Sequence, residues 1–182
     1  MSRSRAAVLA CCLLATGLWL APRTGSADGT VDSSLEPAAR GTTVQVTPTA
    51  PSPDGTGRRV IYSKSQQRVW MVEESGRVVR DFRVSGRLDQ PDPGTYAVWS
   101  RSKYTCSAVH HDVCMRFMVR FAHGPKGGNI GFHEIPVRDG KPLQGDEWLG
   151  WPTSDGCVRQ STSDAMFMWD WAQMGTTVVV VP

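Results

Sequence analysis

Beyond its first 27 residues this chain has no charge imbalance, no apolar run long enough to cross a membrane and no internal repeat. Arg3, Arg5 and Arg23 are 3 of its 20 basic residues, so 17 remain against 17 acidic ones. A neutral chain offers no global field to draw in nucleic acid or an anionic membrane surface, and neither is expected as a partner. The longest apolar stretch, Ala6 to Leu20, covers 15 residues, short of the ~20 that a spanning helix needs. The lack of repeats excludes a repeat array. Cysteine is scarce too: Cys11 and Cys12 lie in the leader, leaving Cys106, Cys114 and Cys157.

The leader itself has the three parts of a secretory signal: Arg3 and Arg5, then the apolar run, then small residues at Gly25 and Ala27 that suit cleavage. A retained anchor is the competing reading. A lipidated cysteine fits less well, because Val8-Leu9-Ala10 is a poor lipobox ahead of Cys11. Residues 28–58 are rich in Pro, Thr, Ser, Ala and Gly and poor in large apolar side chains. Such a segment buries too little surface to fold alone and is expected to be a flexible linker, although Val44-Gln45-Val46 alternates like a short strand. Residues 59–182 then form the one globular candidate, long enough for a single core.

That candidate domain reads as mainly β. Val60-Ile61-Tyr62 and Arg68 to Val72 are strand-like runs, and Glu74-Ser75-Gly76 makes a turn into Val78 to Val84. Further strands are expected at Gly94 to Trp99, Met115 to Phe121, Asn129 to His133 and Thr176 to Val181. One helix is expected, Ser161 to Met174, with Ser161 or Ser163 as its cap and Asp164 in the first turn. Ala165, Met168, Trp169 and Ala172 fall on one face of it, and Gly175 lies at its end.

The chemistry concentrates in Thr153-Ser154-Asp155-Gly156-Cys157-Val158-Arg159-Gln160, with His133 lying 24 positions before Cys157. A thiol is a weak nucleophile until a base takes its proton, and imidazole is the usual base. Gly156 lets the backbone turn so that consecutive amides converge on an oxyanion, and Arg159 can hold a carboxylate. Three cysteines in an oxidising compartment leave one unpaired. Cys106 and Cys114, eight apart, would close a small loop and leave Cys157 free, while Cys106–Cys157 pairing stays open on sequence alone. Cys106, His110, His111 and Cys114 have the residue types of a zinc site, but their spacing matches no strong zinc pattern. Trp148 and Trp151 suit either a substrate groove or ordinary packing, and His123 beside Gly124-Pro125 reads as a loop residue.

These residues carry a resemblance. Gly131-Phe132-His133, Gly150-x-x-x-Ser154-x-Gly156-Cys157-Val158-Arg159, Asp164-Ala165 and Gly175-Thr176-x-Val178 are similar to the L,D-transpeptidase catalytic domain of bacterial cell walls. Val69-Trp70, Arg83-Val84-Ser85-Gly86 and Pro93-Gly94-Thr95-Tyr96 resemble the family's N-terminal elements, so the likeness covers about residues 59–182. It implies a mainly β sandwich or barrel with one short helix after the cysteine motif. It also implies Cys157 as nucleophile, His133 as base, and the amides of Asp155, Gly156 and Cys157 as oxyanion hole. Ser154 and Arg159 would brace the loop or bind substrate, with Trp151 near the site. The substrates implied are peptidoglycan stem peptides, a donor tetrapeptide and an acceptor amine, joined as a 3→3 cross-link outside the cytoplasm. Carbapenem β-lactams are implied as inhibitors; no metal and no organic cofactor is needed, and a monomer is expected. Trimming of stems by hydrolysis, and a wall-binding module without activity, are the alternatives. The sequence departs from the family at Asp155, where His is usual, and at Glu134, where a small polar residue is common; Glu134 to Leu149 is long for the family.

Overall fold

Val, Ile, Tyr, Phe and Trp dominate the strands of this chain, and their burial follows from two sheets closing on each other. The computed structural model describes Ala50 and residues 56–182. The expected signal at 1–27 lies outside these residues, as does most of the expected linker at 28–58. The first sheet contains β1 (Arg59–Ser63), β2 (Arg68–Val72), β3 (Val78–Arg83), β4 (Gly94–Ala97) and β11 (Thr177–Val181), in the order β3-β2-β1-β11-β4. β1 and β11 run parallel, from Arg59↔Thr177 to Ser63↔Val181, so the end of the chain is zipped against the start of the domain.

The second sheet contains β5 (Ser100–Cys106), β6 (Val113–His123), β7 (Asn129–Glu134), β8 (Val137–Arg138), β9 (Lys141–Pro142) and β10 (Val158–Gln160). It runs β10-β7-β6-β8-β9, with β5 also paired to β6. β5 escaped the sequence reading because SRSKYTC buries no residue fully and so carries no clean alternation; its pairing to β6 holds it. β10 buries Val158 and Gln160, but three residues of which two are polar are too short a run to show a strand pattern in the sequence.

Between the sheets lies one core. Val60, Tyr62, Val69, Met71 and Val178 come from the first sheet and Val119, Phe121, Phe132 and Val158 from the second. Phe121 stacks on Phe132 with ring centroids 4.6 Å apart, and Tyr62 meets Phe132 edge-on at 6.3 Å. The other face of the first sheet is also covered: Ile61, Trp70 and Val72 are buried there, with Ala50 and Val181 packed against them. This explains why β1 and β2 read as continuous apolar runs rather than alternating ones.

The helix α1 (Thr162–Trp171) follows β10 directly. Ser161 caps it, accepting the Asp164 amide at 3.1 Å, and Arg80 of β3 grips the Asp164 carboxylate at 2.6 and 2.9 Å. The helix is shorter than the expected Ser161 to Met174. After Ala172 the chain turns to join the first sheet, where the Gly175 amide donates to Val98 and the Val98 amide to Thr176. Ala165, Met168 and Ala172 are fully buried. The remaining aromatics are roofed by arginines: Arg58 over Trp171 and Arg101 over Trp169, each at 4.0 Å, and Arg80 over Phe167 at 4.7 Å. Cation–π contact thus lets an aromatic-rich helix face water.

Truncating Met168, at 0% exposure, tests how much this helix contributes. Met168→Ala is expected to lower the unfolding free energy in urea by about 2–5 kcal/mol. Met166→Ala, at a half-exposed position on the same helix, should stay within about 0.5 kcal/mol of the parent.

Candidate active site

Side chains alternate along a strand, so pairing register decides which of them share a face. In the second sheet Val119, Phe132 and Val158 are cross-strand partners and all point into the core. Their neighbours therefore point to the opposite face. Arg120 on β6 pairs with Gly131 on β7, and His133 on β7 pairs with Arg159 on β10. Cys157 immediately precedes β10, on the same side as Arg159. The parallel pairing of β10 with β7 is what cancels the 24-residue separation between His133 and Cys157. Both line one cavity of about 960 Å³, together with Arg120, Ser154, Asp155, Gly156 and Arg159.

The cysteine turn is held from beneath by Val84-Ser85-Gly86. Ser85 exchanges both backbone hydrogen bonds with Arg159 at 2.8 and 2.9 Å, Gly86 accepts the Ser154 amide, and Val84 accepts the Gly150 amide. Gly86 is required here: a Cβ would lie 1.9 Å from the Tyr62 hydroxyl oxygen. Within the turn, Ser154 Oγ accepts the Gly156 amide at 3.1 Å. That bond is a correction to the expected trio of oxyanion donors, because the Gly156 N–H is already engaged. Gly156 itself has φ 148°, and a Cβ would meet Gln90 Nε2 at 2.5 Å. Gln90, which the sequence reading did not single out, donates from that same Nε2 to the Asp155 carbonyl at 2.9 Å. No local sequence signal marks it, because its role depends on a contact 65 positions away.

His133 is buried, and its Nδ1 lies 2.5 Å from the backbone carbonyl of Glu134. A carbonyl only accepts, so Nδ1 carries the hydrogen and Nε2 keeps its lone pair. Burial lowers the imidazole pKa to about 4, against a smaller upward pull from the Glu134 carbonyl. The Glu134 side chain is itself fixed, by the Arg116 amide and guanidinium at 2.7–3.0 Å and by Thr162 at 3.3 Å. The departure at Glu134 thus anchors the carbonyl that orients the ring.

Cys157 is the free cysteine of the described residues, since a disulfide joins Cys106 to Cys114 across the β5–β6 hairpin. With both sulfurs in that bond, the zinc-like grouping around His110 and His111 has lost its thiolates. The Cys157 thiol donates to the Asn129 carbonyl at 3.4 Å. Burial pushes its pKa up; the Gly131 amide and the charges of Arg120 and Arg159 pull it down, and Asp155 adds the smallest upward push. The resting pair is therefore a neutral thiol beside a neutral imidazole, and Asp155 is the least of the influences on it.

The other expected residues are placed as follows. Arg159 donates to Gln144 Oε1 at 2.8 Å and to the Thr153 carbonyl at 3.3 Å, which ties it to the preceding loop. Trp151 and Trp148 are exposed and neither lines the cavity that holds Cys157. Trp148 instead offers its carbonyl to Ser85 Oγ. His123 ends β6 and stacks on Trp99 at 4.8 Å.

The family model for the L,D-transpeptidase catalytic domain (YkuD) matches residues 57–180. The chain belongs to that family. Among solved structures, the L,D-transpeptidase from Stackebrandtia nassauensis is 20% identical with a TM-score of 0.54, over 73% of this chain and 58% of that one. The L,D-transpeptidase from Mycobacterium smegmatis is 15% identical with a TM-score of 0.56, over 70% of this chain and 60% of that one. An L,D-transpeptidase solved in complex with imipenem is 16% identical with a TM-score of 0.54, over 70% of this chain and 60% of that one. At such identities the likeness is one of fold, and this L,D-transpeptidase-family chain spans under two thirds of the length of each of these structures. No curated protein matches it in sequence.

A neutral resting pair has a kinetic signature. Alkylation of Cys157 by iodoacetamide is expected to climb with pH past the ordinary thiol range near 9, since only the thiolate reacts. A rate plateau between about pH 5 and 7, as in a thiolate–imidazolium pair, would contradict the neutral assignment.

Proposed function

We propose that this chain is a peptidoglycan L,D-transpeptidase that forms 3→3 cross-links through a thioester on Cys157. What carries the reading is the His133–Cys157 arrangement: an imidazole with a fixed tautomer and a free Nε2, sharing a cavity with the one free thiol of the described residues. Membership of the family supports the substrate class, and a relative solved in complex with imipenem supports β-lactams as ligands.

In this mechanism His133 Nε2 takes the thiol proton as Sγ attacks the carbonyl of the third residue of a donor tetrapeptide. The amides of Asp155 and Cys157 stabilise the oxyanion, and Gly156 lends its own amide to Ser154 to keep the turn open. Each well-aimed donor of this sort contributes about 3–4 kcal/mol to the barrier. Collapse of the intermediate returns the proton to the nitrogen of the terminal D-alanine, which departs. The side-chain amine of a second stem then attacks the thioester, gives its proton to His133, and leaves the new amide with the thiol restored. Acid–base and covalent catalysis suffice, so the mechanism calls on no metal or cofactor. We place the domain outside the cytoplasm, exported by the leader at 1–27 and tethered by residues 28–58. The Cys106–Cys114 disulfide, a bond that persists in oxidising compartments, supports that location.

The reaction is tested with purified disaccharide tetrapeptides, read by mass spectrometry. The expected product is a dimer lighter by one D-alanine. Cys157→Ala should abolish it, and His133→Gln should slow it by about 10²–10⁴-fold. Tripeptide alone, without dimer, would replace the transpeptidase reading with stem trimming.

A further inference from the structure

Of the arginines that line the cavity, Arg120 is the one held among the described residues by neither a carboxylate nor a carbonyl oxygen. Arg68, Arg77, Arg80, Arg87, Arg116 and Arg138 each have a carboxylate partner. Arg120 has none among the described residues. Its guanidinium rests on neutral hydroxyls of β5, at 2.9 Å from Ser102, 3.3 Å from Ser100 and 3.4 Å from Thr105. Three weak acceptors hold a planar cation in place without neutralising it, which leaves its charge available to a ligand.

Its position is equally specific. β6 bulges between Arg120 and Ala122 where it pairs with β7, and bulges re-aim side chains beside functional sites. The residue opposite is Gly131, where a Cβ would lie 2.5 Å from the Val119 carbonyl oxygen. No side chain therefore stands between Arg120 and the cysteine turn along that row. Arg120 lines the same cavity as Cys157 and His133, and its charge reaches both. Of the other cations there, Arg87 and Arg138 are paired, Arg159 is tied to Gln144 and Thr153, and Lys126 is exposed in the turn between β6 and β7 rather than on the strand row that faces Cys157.

We propose that Arg120 binds the terminal carboxylate of the donor stem and so selects a peptide that ends one residue after the scissile bond. This rests on the transpeptidase reading given above. The spacing suits it: two strand separations, about 10 Å, lie between the backbones that carry Cys157 and Arg120. One residue beyond the scissile carbonyl, about 3.5 Å long, together with an arginine side chain, bridges that distance. A stem one residue longer carries its carboxylate past the guanidinium.

The test compares donor tetrapeptide with its C-terminal amide, and with the pentapeptide, in wild type, Arg120→Gln and Arg120→Lys. Wild type should prefer acid to amide by about 10- to 100-fold in kcat/KM, the worth of one charge-assisted bond. Arg120→Gln should bring that ratio close to one by losing the acid, and Arg120→Lys should keep part of it. Equal use of acid and amide by wild type overturns the assignment without needing any variant. A preference that persists in Arg120→Gln also overturns it, while the transpeptidase reading stands. Acylation of Cys157 by a carbapenem in each variant reports whether the nucleophile is intact. No turnover of any donor by wild type would remove the functional reading and this proposal with it.

Discussion

Parallel pairing of two short strands, β7 and β10, is the constraint on which the site depends. It sets Arg159 beside His133 and, two residues earlier, delivers Cys157 to the same face of the sheet. β10 has only three residues, too few to hold a register alone. Its other edge is fixed by the two backbone bonds between Ser85 and Arg159, and α1 packs behind it. The core between the sheets thus does more than stabilise the domain. It clamps Val158 beside Phe132, and a shift by one residue would turn Cys157 away from His133.

Electrostatics then sets the character of the pair. Burial acts in opposite directions on an acid and a base, raising the thiol and lowering the imidazole, so both stay neutral until a substrate arrives. Proton transfer is thereby coupled to attack rather than completed beforehand. The carbonyl of Glu134 is well suited to this, because it fixes the tautomer and is in turn fixed by the Arg116–Glu134 ion pair. Positive charge from Arg120 and Arg159 favours the thiolate as it forms. Asp155, which stands where His is usual in the family, opposes this only weakly and is exposed.

Much of this was legible in the sequence, for identifiable reasons. Strands with buried faces announced themselves, and the helix after the cysteine motif was marked by Ser161 and by Ala165, Met168 and Ala172. Cys157 and His133 were legible because glycine, thiol and imidazole occur in a recognisable order. β5 and β10 were not, since their place in the sheet comes from partners rather than from their own apolar pattern. Gln90 and Arg120 were missed because each acquires meaning only through residues distant in the chain. The Gly156 amide shows the same limit: sequence suggests three converging N–H groups, and only the geometry shows that Ser154 has taken one. Trp151 was drawn toward the site by its nearness in sequence, yet the loop carries it to the surface.

The most direct test of the central claim, that Cys157 is an activated acyl acceptor, is the intact mass of the protein after exposure to a carbapenem. One adduct per chain, present in the parent and absent in Cys157→Ala, is the result this account predicts. An unmodified parent whose Cys157 is still alkylated by iodoacetamide would contradict it, because a free and accessible thiol would then be present without the machinery to accept an acyl group.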